Sequence, residues 1–510
     1  MKAKKLFAML LAALMVSSAA LVSCSDEPDA GKTDDTTPAV TDAGATETTE
    51  AETTVAPELL DELPTDNKDY EGYEFVILSH LHPESAVAWM VEDIYTEEEN
   101  GERINDAVYA RNLAMEERFG VVVKQELPDG NKPHDVARNR IQGGDDSFAL
   151  LQTTYQNQAS LVVNGLLINM NNLEYINFDK LWWDTTSVDS TTIAGKTYYA
   201  AGASQLNNFK ATWAVLFNKK LTADANVPDL YELVKSGEWT LDALMTYAEA
   251  ISNDVNGDGQ MKWGEDVFGV GLQNEVVLPL VLGTGARVID FKEDGTYEFT
   301  LGSETFINAM EQAWKFLAGG HSYVLNANKY DGMTNQWIEF RNLFMADQIG
   351  FYMGHLGTVT LVGGDMNSDF GILPFPKVLE GQQEYYSTLQ YNNAHTVSVP
   401  KSTQDLKRTG LLTEAYQMLS YGTVREAYYD YTLTLRSSRD TQSGEMLDLI
   451  FAQRNLDNSL VFNSSTSMQT TLQSAGTAAS FNFASMVASK GKAFQTSIDK
   501  VIQKVIDLEN

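Results

Sequence analysis

A single cysteine, Cys24, stands in 510 residues. No disulfide can form within the chain, so burial alone has to hold its fold. A chain of this length can do that, because the fraction of surface buried on folding rises with size. The length also predicts several domains or one large two-lobed body. The order of apolar runs sets the class. Residues 73–78 (YEFVIL) read as a strand, 103–119 as a helix, 121–123 (VVV) as a second strand, 135–141 as a short helix and 148–151 as a third strand. Strands alternating with helices predict an α/β fold with a largely parallel sheet. Strand-like runs recur at 197–201, 211–218, 349–353, 370–373 and 396–399. Residues 241–252 form an amphipathic helix pattern with Leu241, Leu244, Met245, Ala248 and Ile251 on one face and Thr240 as N-cap. Helices are also expected at 306–317 and 337–345, and the chain beyond 411 reads as mainly helical.

Cys24 has a particular setting. Lys2, Lys4 and Lys5 precede an apolar run over 6–20, followed by Leu21, Val22, Ser23 and Cys24. A cationic start, an apolar stretch too short to span a bilayer and a small-residue cleavage site make a secretory signal peptide over residues 1–23. The last four residues resemble the bacterial lipobox, whose cysteine becomes the diacylated N-terminus, so Cys24 is the expected lipidation site. The expected place is the extracellular face of the cell membrane, held by a lipid anchor. Residues 25–57 carry nine Thr and nine Asp or Glu against one Lys and no aromatic residue. Such a segment cannot bury enough apolar surface to offset its conformational entropy, and 24–69 is expected to be a disordered tether.

The formal net charge is −34. A chain this acidic is repelled by nucleic acid and by anionic headgroups. Nucleic-acid partners are excluded on that ground, and membrane attachment has to be through the covalent lipid alone.

The sharpest local motif covers 254–265 (DVNGDGQMKWGE), which fits D-x-[DN]-x-[DN]-G-x5-E. Side-chain oxygens at positions 1, 3 and 5 turn inward, Gly at 6 permits the bend, and Glu at 12 closes the shell with two oxygens. Asp254, Asn256, Asp258 and Glu265 are the expected Ca2+ ligands, with the Gln260 carbonyl as a backbone ligand and a structural role for the ion. Lys262 at position 9 opposes that reading, and a metal-free turn rich in Asx and Gly is the alternative. No HExxH, GxSxG, CxxC or phosphate-cradling loop occurs, so no catalytic residues are assigned.

Several segments in order are similar to the sugar-type family 1 of extracellular solute-binding proteins of ABC importers. They are GKTYYA at 195–200 followed by WAVLFNKK at 213–220, GEWTLDAL at 237–244, FYMGH at 351–355, GILPFP at 371–376 and VSVPK at 397–401. The resemblance implies a type II, periplasmic-binding-protein-like α/β fold of two lobes joined by crossing strands. The crossings are expected near 213–218, 349–355 and 391–399. Lobe one would be 70–218 plus 350–392, and lobe two 219–349 plus 393–510. It further implies a non-enzymatic monomer that closes around a small-molecule carbohydrate and delivers it to permease subunits of an ABC transporter.

A sugar presents apolar C–H faces and a rim of hydroxyls, met by an aromatic plate and planar polar side chains. In loops after strands, and at the crossings, the candidates for ligand binding are Tyr155, Gln156, Trp213, Asn274, Glu275, His355, Tyr391 and Asn393. Trp89, Trp182 and Trp183 are further stacking candidates. The alternatives are a peptide, polyamine or phosphorylated cargo, a SusD-like surface glycan-binding lipoprotein built of helical repeats, and a lipid-anchored glycosidase.

Overall fold

The computed structural model describes residues 69–80, 93–292, 296–329, 336–363, 366, 368–429 and 442–508. The chain divides into units 1–52 and 53–510, and every described residue lies in the second. The signal peptide, Cys24, nearly all of the tether and Trp89 therefore fall outside the described residues. Eleven strands are described: β1 Tyr73–Leu78, β2 Val121–Glu126, β3 Leu150–Thr154, β4 Trp213–Asn218, β5 Phe268–Leu272, β6 Ile289–Phe291, β7 Tyr297–Phe299, β8 Val324–Asn326, β9 Ile349–His355, β10 Phe370–Leu373 and β11 His395–Ser398. The helices that matter below are α1 Arg103–Phe119, α2 Tyr155–Val163, α3 Leu241–Ile251, α4 Val277–Leu282, α5 Glu304–Ala318, α6 Leu406–Ser420, α7 Gln442–Ala452, α8 Met468–Gly476 and α9 Phe483–Ile506.

The strands pair into two main sheets. The first has the order β11-β3-β1-β2, and the second β10-β4-β9-β5-β8; β6 and β7 form a separate ribbon. In the first sheet β1 runs parallel to β2 and β3, with Tyr73 opposite Val121 and Ile77 opposite Leu150. β11 is antiparallel, with His395 opposite Thr154. In the second, β9 is parallel to β5, while β4 is antiparallel to both β9 and β10. β4 and β9 are buried along their whole length, the pattern of central strands covered on both faces.

Local chemistry explains the boundaries. Gly120 takes φ +62 and ends α1, its N–H bonding to the Glu116 carbonyl, where a left-handed residue favours glycine. Thr240 caps α3, its Oγ1 accepting from the Ala243 N–H at 3.1 Å, and Leu241, Leu244, Ala248 and Ile251 are buried. That face lies directly on β5. A Cβ added at Gly269 would stand 1.7 Å from the Ala248 carbonyl oxygen, so only glycine lets helix and strand approach this closely.

Strand pairing redraws the division expected from the sequence. β9 and β10 pair with β4 and β5, so residues 349–373 belong with the second sheet rather than with lobe one, and β4 joins them. β9 does not cross between sheets, because both its neighbours lie in the second. β11 pairs with β3, and α6 buries Leu411, Leu412, Ala415 and Leu419 in one cluster with Phe75, Ile77, Val121 and Val397. Residues 395–420 therefore belong with the first sheet. The chain passes between the sheets before Trp213 and again between Leu373 and His395. These two passages run side by side, with Trp213 N bonding to Thr388 O and Gln390 N to Ala211 O. A third segment joins them, with Ser387 N bonding to Gln453 O and Asn455 N to Ser387 O. The expected strand at 197–201 is no regular strand: Ala200 makes an isolated bridge to Val397.

Candidate functional site

The C-terminal ends of β1 and β3 and the start of the antiparallel β11 share one edge of the first sheet. It carries His80, Thr153, Asn157 and His395. His80 Nε2 lies 2.7 Å from Thr153 Oγ1, and its ring stacks on His395 with centroids 5.2 Å apart. Asn157 Nδ2 donates to Thr153 Oγ1, and Asn207 Nδ2 lies 3.0 Å from His395 Nδ1. In open α/β sheets ligands bind outside the carboxyl ends of strands, and this edge is such a place.

The corresponding edge of the second sheet carries Trp213, Gln273, Asn274, Glu275, Asn326 and His355. A chain of amides runs along it. Asn326 Nδ2 donates to Asn274 Oδ1 at 2.9 Å, the Asn274 N–H donates to Asn328 Oδ1 at 2.7 Å, and Asn328 Nδ2 donates to Gln336 Oε1 at 3.0 Å. Gln273 Nε2 and Glu275 Oε2 are buried without a hydrogen-bond partner. Burial raises the Glu275 carboxyl above its ordinary range. It also pushes the His355 imidazole down to about 3, so the ring is neutral near pH 7 and offers one donor and one acceptor.

The C-terminal helices tie the two edges together. Gln156, on the first turn of α2, donates through Nε2 to Gln469 Oε1 on α8. α8 packs on α4 and α5 of the second half. Its Gly476 lies so close to α4 that an added Cβ would stand 2.6 Å from Val277.

The sequence candidates divide accordingly. Trp213 and His355 meet directly, with ring centroids 4.1 Å apart. Asn274 and Glu275 lie on the amide-lined edge, and Gln156 reaches across to Gln469. Asn393 lies in the returning passage, its N–H bonded to the Gln390 carbonyl, and its side chain is half-buried. Tyr155 and Tyr391 are core residues here rather than stacking plates. Tyr155 is 0% and Tyr391 1% exposed, and their rings pack edge to face at 6.0 Å. The Tyr155 hydroxyl bonds to Ser187 Oγ at 2.7 Å, and the Tyr391 hydroxyl accepts from the Asp457 N–H. Burial raises both phenol pKa values. Trp182 and Trp183 are buried, and their indole N–H groups donate to the two oxygens of Glu414 at 2.8 and 2.9 Å. Asn326, Asn328, Gln336 and Gln469 were not singled out in the sequence; the run Asn326-Ala327-Asn328, beginning on the last residue of the short strand β8, was the one available signal.

The 254–265 loop is exposed and satisfied from within. Asp254 accepts from Gly257 N and Gly259 N, Asn256 from Asp258 N, and Asp258 from Gln260 N. Lys262 Nζ sits 2.6 Å from Asp258 and 3.7 Å from Glu265, and Asn256 Nδ2 donates to Glu265 at 3.2 Å. Among the described residues no group of three or more His, Cys, Asp or Glu is disposed to hold a metal ion. In this arrangement an ammonium stands between two of the expected ligands.

No family model matches the chain, and no curated protein matches it. Solved structures do. A cyclic α-maltosyl-1,6-maltose-binding protein from Arthrobacter globiformis shares 13% identity at TM-score 0.55, over 84% of this chain and 99% of the other. A cyclo/maltodextrin-binding protein, solved with maltotetraose, shares 14% at TM-score 0.52, over 85% and 97%. UgpB from Mycobacterium tuberculosis, solved with glycerophosphocholine, shares 15% at TM-score 0.51, over 78% and 95%. Two α/β sheets, passages between them that run side by side, and these likenesses lead to one assignment: the chain has the two-lobed α/β fold of the ABC substrate-binding proteins.

Proposed function

We propose that this protein captures a neutral carbohydrate of oligosaccharide size between the two sheet edges and hands it unaltered to an ABC importer. The observation that carries the reading is the composition of those edges on this fold. Asn157, Asn207, Gln273, Asn274, Asn326, Asn328 and Gln336 supply uncharged planar amides, with Trp213 and neutral His355 beside them. Amides satisfy vicinal hydroxyls as both donors and acceptors, whereas a cationic or anionic cargo calls for charged partners. The structural neighbours that bind maltodextrins and cyclic maltosyl sugars support the sugar class, and their being binding proteins supports capture without turnover. Acylation of Cys24 would hold the protein, as a monomer, at the outer face of the membrane, with the acidic tether keeping the folded body clear of it. Calcium at the 254–265 loop is a separate proposal, which requires Lys262 to leave Asp258.

The test is a melting-shift screen of the mature protein against maltodextrins, cyclic glucans, peptides and polyamines, followed by calorimetry, since a ligand that binds only the folded state raises the midpoint. A shift with oligosaccharides, and intact sugar recovered afterwards, supports the reading. A shift confined to peptides or polyamines, or hydrolysed sugar, overturns it. Membrane association is tested separately, by loss of the membrane-bound fraction in Cys24→Ala.

A further inference from the structure

A cavity of about 220 Å3 lies between the two halves at another place. One wall is Trp182, Trp183, Asp184 and Phe209, from the segment that precedes the first passage. The other is Phe451 and Arg454, at the end of α7 and just beyond it, and α7 packs on β10 of the second sheet. Arg425 completes the lining. None of the amides named on the two edges lines it, but Gln205 and Asn208 do, and Asn208 Oδ1 accepts from the His395 N–H at 2.8 Å, so the cavity adjoins the first sheet's edge.

The charge of this cavity is unlike that of the chain. The protein carries −34, yet two guanidinium groups face one carboxylate here. Arg454 Nη2 donates to Asp184 Oδ1 at 2.7 Å, while Arg454 Nε is buried without a hydrogen-bond partner. Leaving such a donor unsatisfied is costly, more so for a charged group, and the rest of the Arg454 guanidinium lines the cavity beside it. Arg425 lies 4.7 Å from the Tyr421 ring centroid, and no ion pair holds it among the described residues. The aromatic lining is fixed. Glu414 pins both indole N–H groups, and Phe209 meets Phe451 edge to face at 5.1 Å.

We propose that this cavity binds a small aromatic carboxylate, its carboxylate taken by Arg454 and Arg425 and its ring by the tryptophan and phenylalanine walls. The planar guanidinium fork matches a carboxylate with two parallel hydrogen bonds, and aromatic walls favour an offset or edge-on ring. The volume falls below the roughly 300–1,000 Å3 of drug-sized pockets, which limits the ligand to a single ring.

The test is calorimetry and thermal melting of the mature protein with benzoate, with its neutral isostere benzamide, and with inorganic phosphate. Benzoate is expected to bind and raise the midpoint, with benzamide and phosphate at least tenfold weaker. Arg425→Gln, on a partly exposed residue whose loss leaves no buried charge, is expected to weaken benzoate tenfold while melting like the wild type without ligand. Arg454→Gln is the less useful variant because it strands Asp184. Gln156→Ala is expected to leave benzoate binding unchanged, which separates this site from the carbohydrate edges. No benzoate binding, equal binding of benzamide or phosphate, or full affinity in Arg425→Gln would overturn the proposal.

Discussion

Trp213 and His355 stand opposite each other in the β4–β9 ladder, and their rings meet at 4.1 Å between centroids, tilted by 48°. One is the first residue of its strand and the other the last of its partner, so the pair sits where the second sheet ends and the passage to the first begins. Loss of His355 removes both a ring from that contact and a neutral polar group from the edge. His355→Ala is expected to weaken oligosaccharide binding more than tenfold, over about 1.4 kcal/mol, measured by calorimetry. The pH dependence has a definite sign. Burial holds the folded imidazole at about 3, below its ordinary 6.5. The unfolded chain therefore takes up a proton first, and stability falls as pH drops from 6.5 toward 3. Melting midpoints of wild type and His355→Gln are expected to converge with acidification, the wild type losing more.

Glu414 behaves in the opposite sense. Burial pushes its carboxyl up to about 7, against the lowering effect of the Trp183 and Trp182 indoles and the Asn177 N–H. The unfolded carboxyl ionises near 4.5, so the unfolded chain loses its proton first and stability falls as pH rises from 4.5 to 7. The whole shift corresponds to a contribution on the order of 3 kcal/mol. Glu414→Gln keeps an acceptor and is expected to flatten the midpoint–pH curve between 4.5 and 7.

Gly269 is the tightest point between helix and sheet. With the Ala248 carbonyl 1.7 Å from where a Cβ would stand, backbone has to move. Gly269→Ala is expected to cost about 3 kcal/mol or more, at or above the upper end for overpacking. Chemical denaturation measures it. Gly130→Ala serves as the exposed control: no atom lies within 4 Å of its Cβ position, but φ +74 adds backbone strain, so a cost of about 1 kcal/mol is expected there.

Lys262 bears on calcium. Its ammonium bridges Asp258 and Glu265, where a cation's charge would be needed. Lys262→Ser is expected to create millimolar calcium affinity, read as a midpoint several degrees higher in calcium than in EGTA, with a smaller difference in the wild type. Equal differences in both proteins would show that the lysine does not oppose the ion.

Much of the fold was legible locally. α1 covers 103–119 and β10 covers 370–373, as expected from the sequence. The third strand shows what local reading misses. A strand at 148–151 leaves Tyr155 in a loop with its ring free. The strand instead runs to Thr154, whose Oγ1 accepts from the Asn157 N–H, and that cap makes Tyr155 the first helical residue, turned into the core. Sheet membership was illegible for β4 and β9, because a mostly apolar strand states that it is covered and not by which neighbours. On the second sheet's edge lie Trp213, Asn274, Glu275 and His355, which the sequence offers as candidates by their position after or before strands. Asn326 ends a strand of three residues and Asn328 follows it, a strand too short for a period to emerge, and Gln469 lies over 300 positions from the Gln156 it meets.

Lys196 fastens the far end of α9 to the turn before the first passage, its ammonium donating to the carbonyls of Ile506 and Leu508 at 2.8 and 2.7 Å. α9 touches α2 on one side and α5 on the other. This one helix therefore has neighbours in both halves, and any displacement of one half against the other has to disturb its packing.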